Sequence, residues 1–432
     1  MWIGLSNKTV CALGLIAAVA GCAAAPAPEA SRFGVGSMAL TAPPPSDSAS
    51  PIIGALASRQ SAIRPGSPYA RVSESVLASD ARLAEAELEV AELRAAAAER
   101  NWLPTIGPRV SLTSLGDVVA ELVVNQMLFD NGRKKAERDL ARADVERAAV
   151  RLVEAGNDRV RDALELYLRA EDGRVRAAHF AEAHGDMSKF EWIVRQRVEG
   201  GVSNPSDLTV VRQKLSDIAA KKSAATERTA TAMAELNAMA AGPLDDVRGL
   251  GVFDWNPVIH EPLPVLAAEA DRGRARALAR IERAGHLPGL GATAALGRNG
   301  ASGGLTAETP NGLGFGTRAS LKAAAMTEET AERRILETRE ASDRDLAALM
   351  RRSEAELRQI EEAKALRAEA KRNLDLFQAQ FEGGQRGIMD VVGVYETYAK
   401  AVEHELDLTL EAARTDLSLA HKQGVLAPGN RL

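Results

Sequence analysis

An internal repeat constrains the fold of this 432-residue chain more than any other feature of its sequence. The segment Val198–Leu208 aligns with Phe381–Val391 at an offset of 183 residues, and each segment contains a Gly-Gly pair with an Asp six residues after the second glycine. The segment Asn101–Pro104 aligns with Gly285–Pro288 at an offset of 184. We therefore predict two tandem copies of one unit: a helix, a Leu-Pro break, two alternating segments, a very long helix, a Gly-Gly turn and a returning helix.

Long stretches without proline carry the predicted helices. No proline occurs from Arg109 to Asn204 or from Asn311 to Ala427, and charged residues make up 26% of the chain but aromatic residues only 4%, which is typical of long helices and coiled coils. Apolar residues in these stretches recur in steps of three and four, the coiled-coil period. Each long helix should pack against its returning helix and the helix before its Leu-Pro break. The predicted long helices span about 133–199 and 324–382, the returning helices 206–241 and 389–422, and the preceding helices 73–100 and 266–284.

After each Leu-Pro the hydrophobic period changes from 3.5 to two, which indicates strands. Segments of about ten residues with this period fit strands of an outer-membrane barrel. Four strands cannot close a barrel, and open sheet edges are not tolerated in lipid, so membrane strands would require several copies of the chain. The predicted strands lie at about 106–112, 118–124, 290–296 and 313–319, with a Gly-, Asn- and Thr-rich loop before the last.

The N-terminus predicts export and a lipid anchor. An apolar run, Val10–Ala20, is too short for a spanning helix but fits a signal-peptide core, and it ends at Ala20-Gly21-Cys22. Small residues before a cysteine resemble a lipoprotein processing site, so Cys22 is predicted to be acylated, for example with palmitate. An ordinary signal peptide cut near residues 23–25 is the alternative. Eight of the 18 prolines lie between Pro26 and Pro68, and this region reads as an extended tether.

The repeated frame and its motifs together resemble the TolC-like outer-membrane efflux protein family. The motifs are Asn101-Trp-Leu-Pro104 at the first strand, Asn125–Gly132 after the second, and the turns at Gly200, Gly201, Gly383 and Gly384. The resemblance implies a mainly α fold with two tandem long coiled-coil helical hairpins, plus four β-strands that contribute to a trimeric 12-stranded outer-membrane β-barrel. The expected domains are a signal peptide (1–21), a lipidated tether (22–70), two repeats (71–243 and 265–427) joined by a linker (244–264), and a tail (428–432).

The function that this resemblance implies is a passive export duct. The chain would be an outer-membrane channel subunit of a tripartite efflux or type I secretion system, a homotrimer spanning the periplasm and working with a periplasmic adaptor (membrane fusion) protein and an inner-membrane transporter. The alternative is a periplasmic coiled-coil adaptor or structural protein without a barrel. The net charge of -5 gives no basic surface for nucleic acid, and the six histidines show no metal-ligand spacing. We predict no enzyme activity, cofactor or metal site.

The residues predicted to carry function lie at the hairpin turns and at the strand–helix junctions. Three copies of Asp390 could form a carboxylate ring that favours cations, or Asp390 could be a helix N-cap; for Asp207 the cap is preferred. Arg386 could pair with Asp207 of a neighbouring hairpin and hold the tip of the channel closed. The predicted junction residues are Pro104, Phe129, Gly132 and Pro288. Trp102 and Phe129 flank strand ends and could mark the periplasmic membrane interface or serve only as packing at those ends.

Overall fold

The computed structural model describes residues 50–79, 83–112, 118–255, 260–298 and 300–429. The predicted signal peptide, Cys22 and the tether up to residue 49 lie outside the described residues, as do residues 113–117 between the first two predicted strands. The described chain is mainly helical with one four-stranded antiparallel sheet, which confirms the predicted fold class at the level of a single chain.

Eight helices are described, two of them far longer than the rest. At 1.5 Å per residue, the 67-residue helix that follows the first pair of strands is about 100 Å long. The helices are α1 (Pro51–Ala57), α2 (Pro68–Ala78), α3 (Leu83–Glu99), α4 (Arg133–Glu199), α5 (Pro205–Met239), α6 (Leu263–Gly285), α7 (Thr317–Glu382) and α8 (Ile388–Gln423).

Helix packing follows the prediction from the repeat. Helix α4 packs against α5 and α3, and α7 packs against α8 and α6, so two shorter helices accompany each long one. Helix α4 also contacts α6 and α8, and these contacts join the two repeats. None of the described helices combines the length and apolarity that crossing a membrane requires.

The sheet has the order β1-β2-β3-β4, with every neighbouring pair antiparallel. Its strands are β1 (Thr105–Leu112), β2 (Val118–Phe129), β3 (Gly289–Gly297) and β4 (Gly300–Glu308).

The first three strands lie where the sequence predicted them, but the prediction for the fourth was wrong. Residues 313–319 form no strand: 313–316 lead into α7 and 317–319 are its first residues. The Phe315 side chain is fully exposed. The strand is instead the Gly-rich segment for which the sequence predicts a loop. It pairs with β3 along its whole length, from Gly297↔Gly300 to Gly289↔Glu308. Gly300, at φ +105°, allows a close reversal between the two strands.

The last part of the predicted tether is folded rather than extended. Ser50 and Ser67 cap α1 and α2, and each is followed by a proline in the first helical position, where proline stabilises a helix start. The side chains of these helices are packed rather than solvated: Leu56 and Val72 are completely buried. Residues 50–70 therefore belong to the helical body.

The largest core cluster surrounds the middle of α4. Tyr167 of α4 makes an edge-on contact with Tyr69 of α2, with ring centroids 6.1 Å apart, and Tyr69 lies 5.4 Å from Phe253. The Tyr167 hydroxyl donates a 2.7 Å hydrogen bond to the Gly249 carbonyl. The described part of the predicted linker is thus packed against α4, together with the chain after α8.

Candidate functional site

One face of the sheet is apolar and exposed. Directly paired residues of antiparallel strands point to the same side of a sheet, so the register assigns each side chain to a face. Leu122 of β2 pairs with Pro108 of β1 and with Leu296 of β3, and Leu296 pairs with Ala301 of β4. Five large apolar side chains of this face are 48–69% exposed: Ile106, Val110, Leu122, Leu296 and Leu305.

The opposite face is mainly polar. Arg109 and Glu121 are direct cross-strand partners on β1 and β2. Further along, the Thr293 hydroxyl of β3 donates a 3.2 Å hydrogen bond to the Asn125 side-chain oxygen of β2. A sheet that is mainly apolar on one side and mainly polar on the other fits a barrel wall between lipid and an aqueous lumen.

Both edges of the sheet are open in the single chain. β1 and β4 are the outer strands, and each has a described neighbour on one side only. Unpaired edge N–H and C=O groups recruit further strands and are costly in an apolar environment. The sheet is therefore complete only when other strands pair with β1 and β4.

The first strand–helix junction is built by a short polar turn. Asn131 and Gly132 both have positive φ, 55° and 83°, and the Asp130 carboxylate accepts a 3.0 Å hydrogen bond from the Gly132 N–H. The Asn131 side-chain amide donates to the Pro288 carbonyl at 3.0 Å, which ties the two repeats together at this level. The predicted junction residues Gly132 and Pro288 are thus joined through Asn131. Phe129 ends β2 on the apolar face, opposite Leu290.

The corresponding junction of the second repeat lies at Asn311-Gly312. Gly312 again has positive φ, 61°, and the Asn311 N–H donates a 2.9 Å hydrogen bond to the Gly285 carbonyl. The predicted start of the second long helix, at about residue 324, lies inside α7, which begins at Thr317. The dipeptide Asn131-Gly132 recurs as Asn311-Gly312 at an offset of 180, and this match could have located the junction and the strand before it.

The two hairpin turns have the same backbone geometry. Gly201 and Gly384 both have φ +73°, and each donates a 3.0 Å hydrogen bond to a carbonyl of the preceding helix. The next residue, Val202 or Gln385, donates a 2.8 Å hydrogen bond to the carbonyl five residues earlier. These bonds satisfy carbonyls that the helix ends would leave free.

The acidic residues after the turns have different local roles. The Asp390 carboxylate accepts a 3.2 Å hydrogen bond from the Gly387 N–H at the start of α8. In α5 the N-cap is Asn204, whose side-chain oxygen accepts from the Ser206 N–H at 3.1 Å. The preferred interpretation of Asp207 as the cap itself was wrong: Asp207 lies in the first turn, where a negative charge interacts favourably with the helix dipole.

Arg386 is held within its own hairpin. Its guanidinium donates to the Gln380 side-chain oxygen at 3.1 Å and lies 4.4 Å from the centre of the Phe377 ring. The described residues of one chain contain no ion pair between Arg386 and Asp207. The two turns are nevertheless adjacent, because Arg197 of the first hairpin lies 4.8 Å from the Phe381 ring of the second. A pair between copies of the chain stays a prediction.

A second core cluster fastens the two hairpins together near their turns. Phe190 of α4 and Tyr395 of α8 make an edge-on contact at 5.7 Å, and the Tyr395 hydroxyl donates to the Asp186 carboxylate at 3.4 Å. Burial raises the pKa of Tyr395, and the nearby Asp186 adds to the shift. Lys214 of α5 forms an ion pair with Glu396 of α8. Within the described residues, no group of three His, Cys, Asp or Glu side chains could hold a metal ion.

Similarity to known proteins was found in structure and not in sequence. No family model and no curated protein matches the chain. A membrane protein from Pseudomonas aeruginosa is similar with a TM-score of 0.73 at 16% identity, over 84% of this chain and 91% of that one. The outer membrane protein VceC from Vibrio cholerae gives 0.69 at 15% identity, over 86% and 95%. CusC, whose crystal structures concern transmembrane channel formation, gives 0.73 at 14% identity, over 82% and 92%.

These likenesses extend over most of both chains. The chain therefore has the fold of the TolC-like outer-membrane efflux proteins, which confirms at the level of fold the resemblance inferred from its repeated turns and junctions.

Proposed function

We propose that the chain is one subunit of an outer-membrane export channel. The observation that carries this proposal is the two-faced sheet with two open edges. Three copies would pair β1 of one chain with β4 of the next and close a 12-stranded barrel, with the apolar face toward lipid and the polar face toward the lumen.

The helices continue the conduit on the other side of the membrane interface. Helices α4 and α7 both start within ten residues of a strand and run for 66 residues or more to the hairpin turns. Their charged surfaces are solvated, which suits a water-filled periplasmic duct. The channel catalyses nothing in this proposal; it takes cargo from an inner-membrane transporter through a periplasmic adaptor, in an efflux or type I secretion system.

The test is the state of the protein in membranes. We expect the full-length chain in outer-membrane fractions, with the mass of three chains in mild detergent and a mobility that shifts on heating, as barrels do when they unfold. Purified protein should also conduct ions in planar bilayers. A soluble monomer that makes no pores would contradict the proposal and favour a barrel-free adaptor or structural protein.

The lipid anchor is a separate part of the proposal. The variant Cys22→Ser should lose labelling by a radioactive or clickable fatty acid and should change its processing. The barrel would still insert without the anchor, because the apolar face of the sheet provides its own contact with lipid. Labelling that persists in Cys22→Ser would refute the anchor and leave the channel proposal intact.

A further inference from the structure

An exposed apolar belt lies where the sheet meets the helices. Phe129 ends β2 on the apolar face and is 59% exposed, and Trp102 precedes β1 and is 56% exposed. The Trp102 carbonyl accepts a 2.8 Å hydrogen bond from the Gln126 side chain, which fixes the backbone of Trp102 to β2. The second repeat contributes exposed apolar side chains at the same level, just before α7. We call this set the interface belt: Trp102, Leu103, Phe129, Leu313 and Phe315.

Cations without partners accompany the interface belt. On α4 every other Lys or Arg contacts a carboxylate, a carbonyl or an aromatic ring, but Lys135 and Arg138 have no such partner among the described residues. Arg318 and Lys322, at the start of α7, likewise form no ion pair within the described chain. We call these four residues the basic girdle. Lys135 and Arg138 are three residues apart on α4, and Arg318 and Lys322 are four residues apart on α7, so each pair concentrates positive charge that no described carboxylate neutralises.

The stability of the helices does not explain the girdle. Cations in the first turn of a helix are opposed by its dipole, and the first turns of α4 and α7 contain no acidic residue. The first turns of α5 and α8, at the other end of the hairpins, contain Asp207 and Asp390. Within their first turns, α5 and α8 therefore carry acid at the hairpin turns, whereas α4, which follows Asp130, and α7 carry base next to the sheet.

The orientation of Lys135 separates it from the cations of the lumen side. Arg133, Lys134 and Glu137 line a cavity together with Met127 and Thr306, which lie on the polar face of the sheet. At 100° per residue, Lys135 lies roughly 150° around α4 from the centre of that group. Its side chain is exposed and points away from the polar side, whereas Arg133 and Lys134 are ion-paired to Glu137.

We propose that the basic girdle binds anionic phospholipid headgroups of the leaflet that meets this end of the sheet. The inference rests on the proposed function, since it requires the sheet to lie in a bilayer. The interface belt adjoins the apolar face, so the lipid that covers this face also lies next to the basic girdle. Phosphate oxygens accept hydrogen bonds from Lys and Arg, and aromatic side chains favour the headgroup level. Each Lys or Arg close to an anionic membrane surface strengthens the binding of the protein to that surface by about fivefold.

Trp102 provides a local probe of the lipid. The chain has three other tryptophans: Trp2 in the predicted signal peptide, Trp192, roughly 90 Å along α4 from the sheet, and Trp255, near the middle of α4. The full-length protein is reconstituted in phosphatidylethanolamine vesicles that contain brominated phosphatidylglycerol or brominated phosphatidylethanolamine. The variant Trp102→Phe gives the background from the other tryptophans. The measured quantity is the ratio of the two quenching constants at Trp102.

We expect phosphatidylglycerol to quench wild-type Trp102 several-fold better than phosphatidylethanolamine, and 1 M salt to abolish this preference. The variant with Lys135→Gln, Arg138→Gln, Arg318→Gln and Lys322→Gln should bring the ratio close to one.

The control variant removes three exposed cations of α7 that are far from the sheet and form no ion pair within the described chain. Its substitutions are Arg334→Gln, Arg344→Gln and Arg358→Gln. This control should keep the wild-type ratio. A ratio near one in the wild type, or an unchanged ratio in the girdle variant, would overturn the lipid site and leave the channel proposal standing. No quenching of Trp102 by either lipid would overturn both, because the sheet would then lie outside the bilayer.

Discussion

The apolar face of the sheet makes the most quantitative prediction, at Leu122. This residue is in the middle of β2, between Pro108 on β1 and Leu296 on β3, and its side chain is 48% exposed. Leu122→Arg therefore puts a charge on the exposed face without creating a cavity or breaking a hydrogen bond. Its effect depends almost entirely on what covers that face.

The magnitude depends on whether lipid or water covers Leu122. On the lipid face of a barrel, Arg near the bilayer midplane costs roughly 2–4 kcal/mol. Three copies carry three such charges, so an assembled trimer would lose about 6–12 kcal/mol if the sites act independently. On a water-exposed sheet the same substitution would stay within about 0.5 kcal/mol, the usual range for surface changes. The two alternatives are thus clearly separated.

The assay compares Leu122→Arg with Ser302→Arg. Ser302 is on β4, pairs with Ala295 on the polar face, and is exposed, so the control adds the same side chain to the opposite side of the sheet. The readouts are the yield of heat-modifiable trimer in membranes and the urea concentration that unfolds reconstituted protein. We expect Leu122→Arg to lose most of the trimer and Ser302→Arg to retain it. Equal tolerance of the two substitutions would refute the lipid-facing assignment.

Three further predictions concern the hairpins and the core. Single-channel conductance of Arg386→Ala, Asp207→Ala and the double variant should rise non-additively if the pair closes the tip between copies; unchanged conductance in both single variants would exclude the pair. Gly384→Ala should destabilise its turn by about 1 kcal/mol, because φ is +73° although a methyl group meets no neighbour, and faster amide exchange there would show it. Asn157→Leu should lower the free energy of unfolding in urea by about 1–3 kcal/mol, because the Leu426 N–H, now 2.8 Å from the Asn157 side-chain oxygen, would lose its acceptor. An unchanged unfolding midpoint would contradict this.

The long helices could be read from the sequence because local signals determine their ends. Arg133–Glu199 was predicted at its observed bounds, since Gly132 and Gly200 flank an uninterrupted run of helix formers. The fourth strand could not be found in this way. Gly300–Glu308 contains three glycines and few residues with strand propensity, and its conformation comes from pairing with β3. Long-range pairing of this kind leaves only a weak period-two signal in the sequence, at Ala301, Leu305 and Ala307.

The folded end of the predicted tether was missed for a different reason. The prolines of this region predict an extended chain, because proline breaks a helix interior. Ser50-Pro51 and Ser67-Pro68 are instead helix starts, as is Asn204-Pro205 at α5. Proline in the first helical turn removes an N–H that would have no partner, so it breaks a helix only further along. The position of a proline relative to a capping side chain was the informative signal.

The two repeats are alike in element order but unlike in burial, and this difference bears on assembly. Helix α4 buries residues along most of its length because α5, α6, α8 and the segment before α3 all pack on it. Helix α7 has nearly the same length but buries only Ile335, Glu356, Ile360, Ala363 and Leu374. Several large apolar side chains of α7 remain more than 45% exposed: Leu336, Met350, Leu357, Leu366 and Leu376. Because a helix this long needs apolar partners along its length, the bare side of α7 supports the proposed trimer independently of the sheet: the neighbouring copy that pairs with the open strand edges would also cover α7.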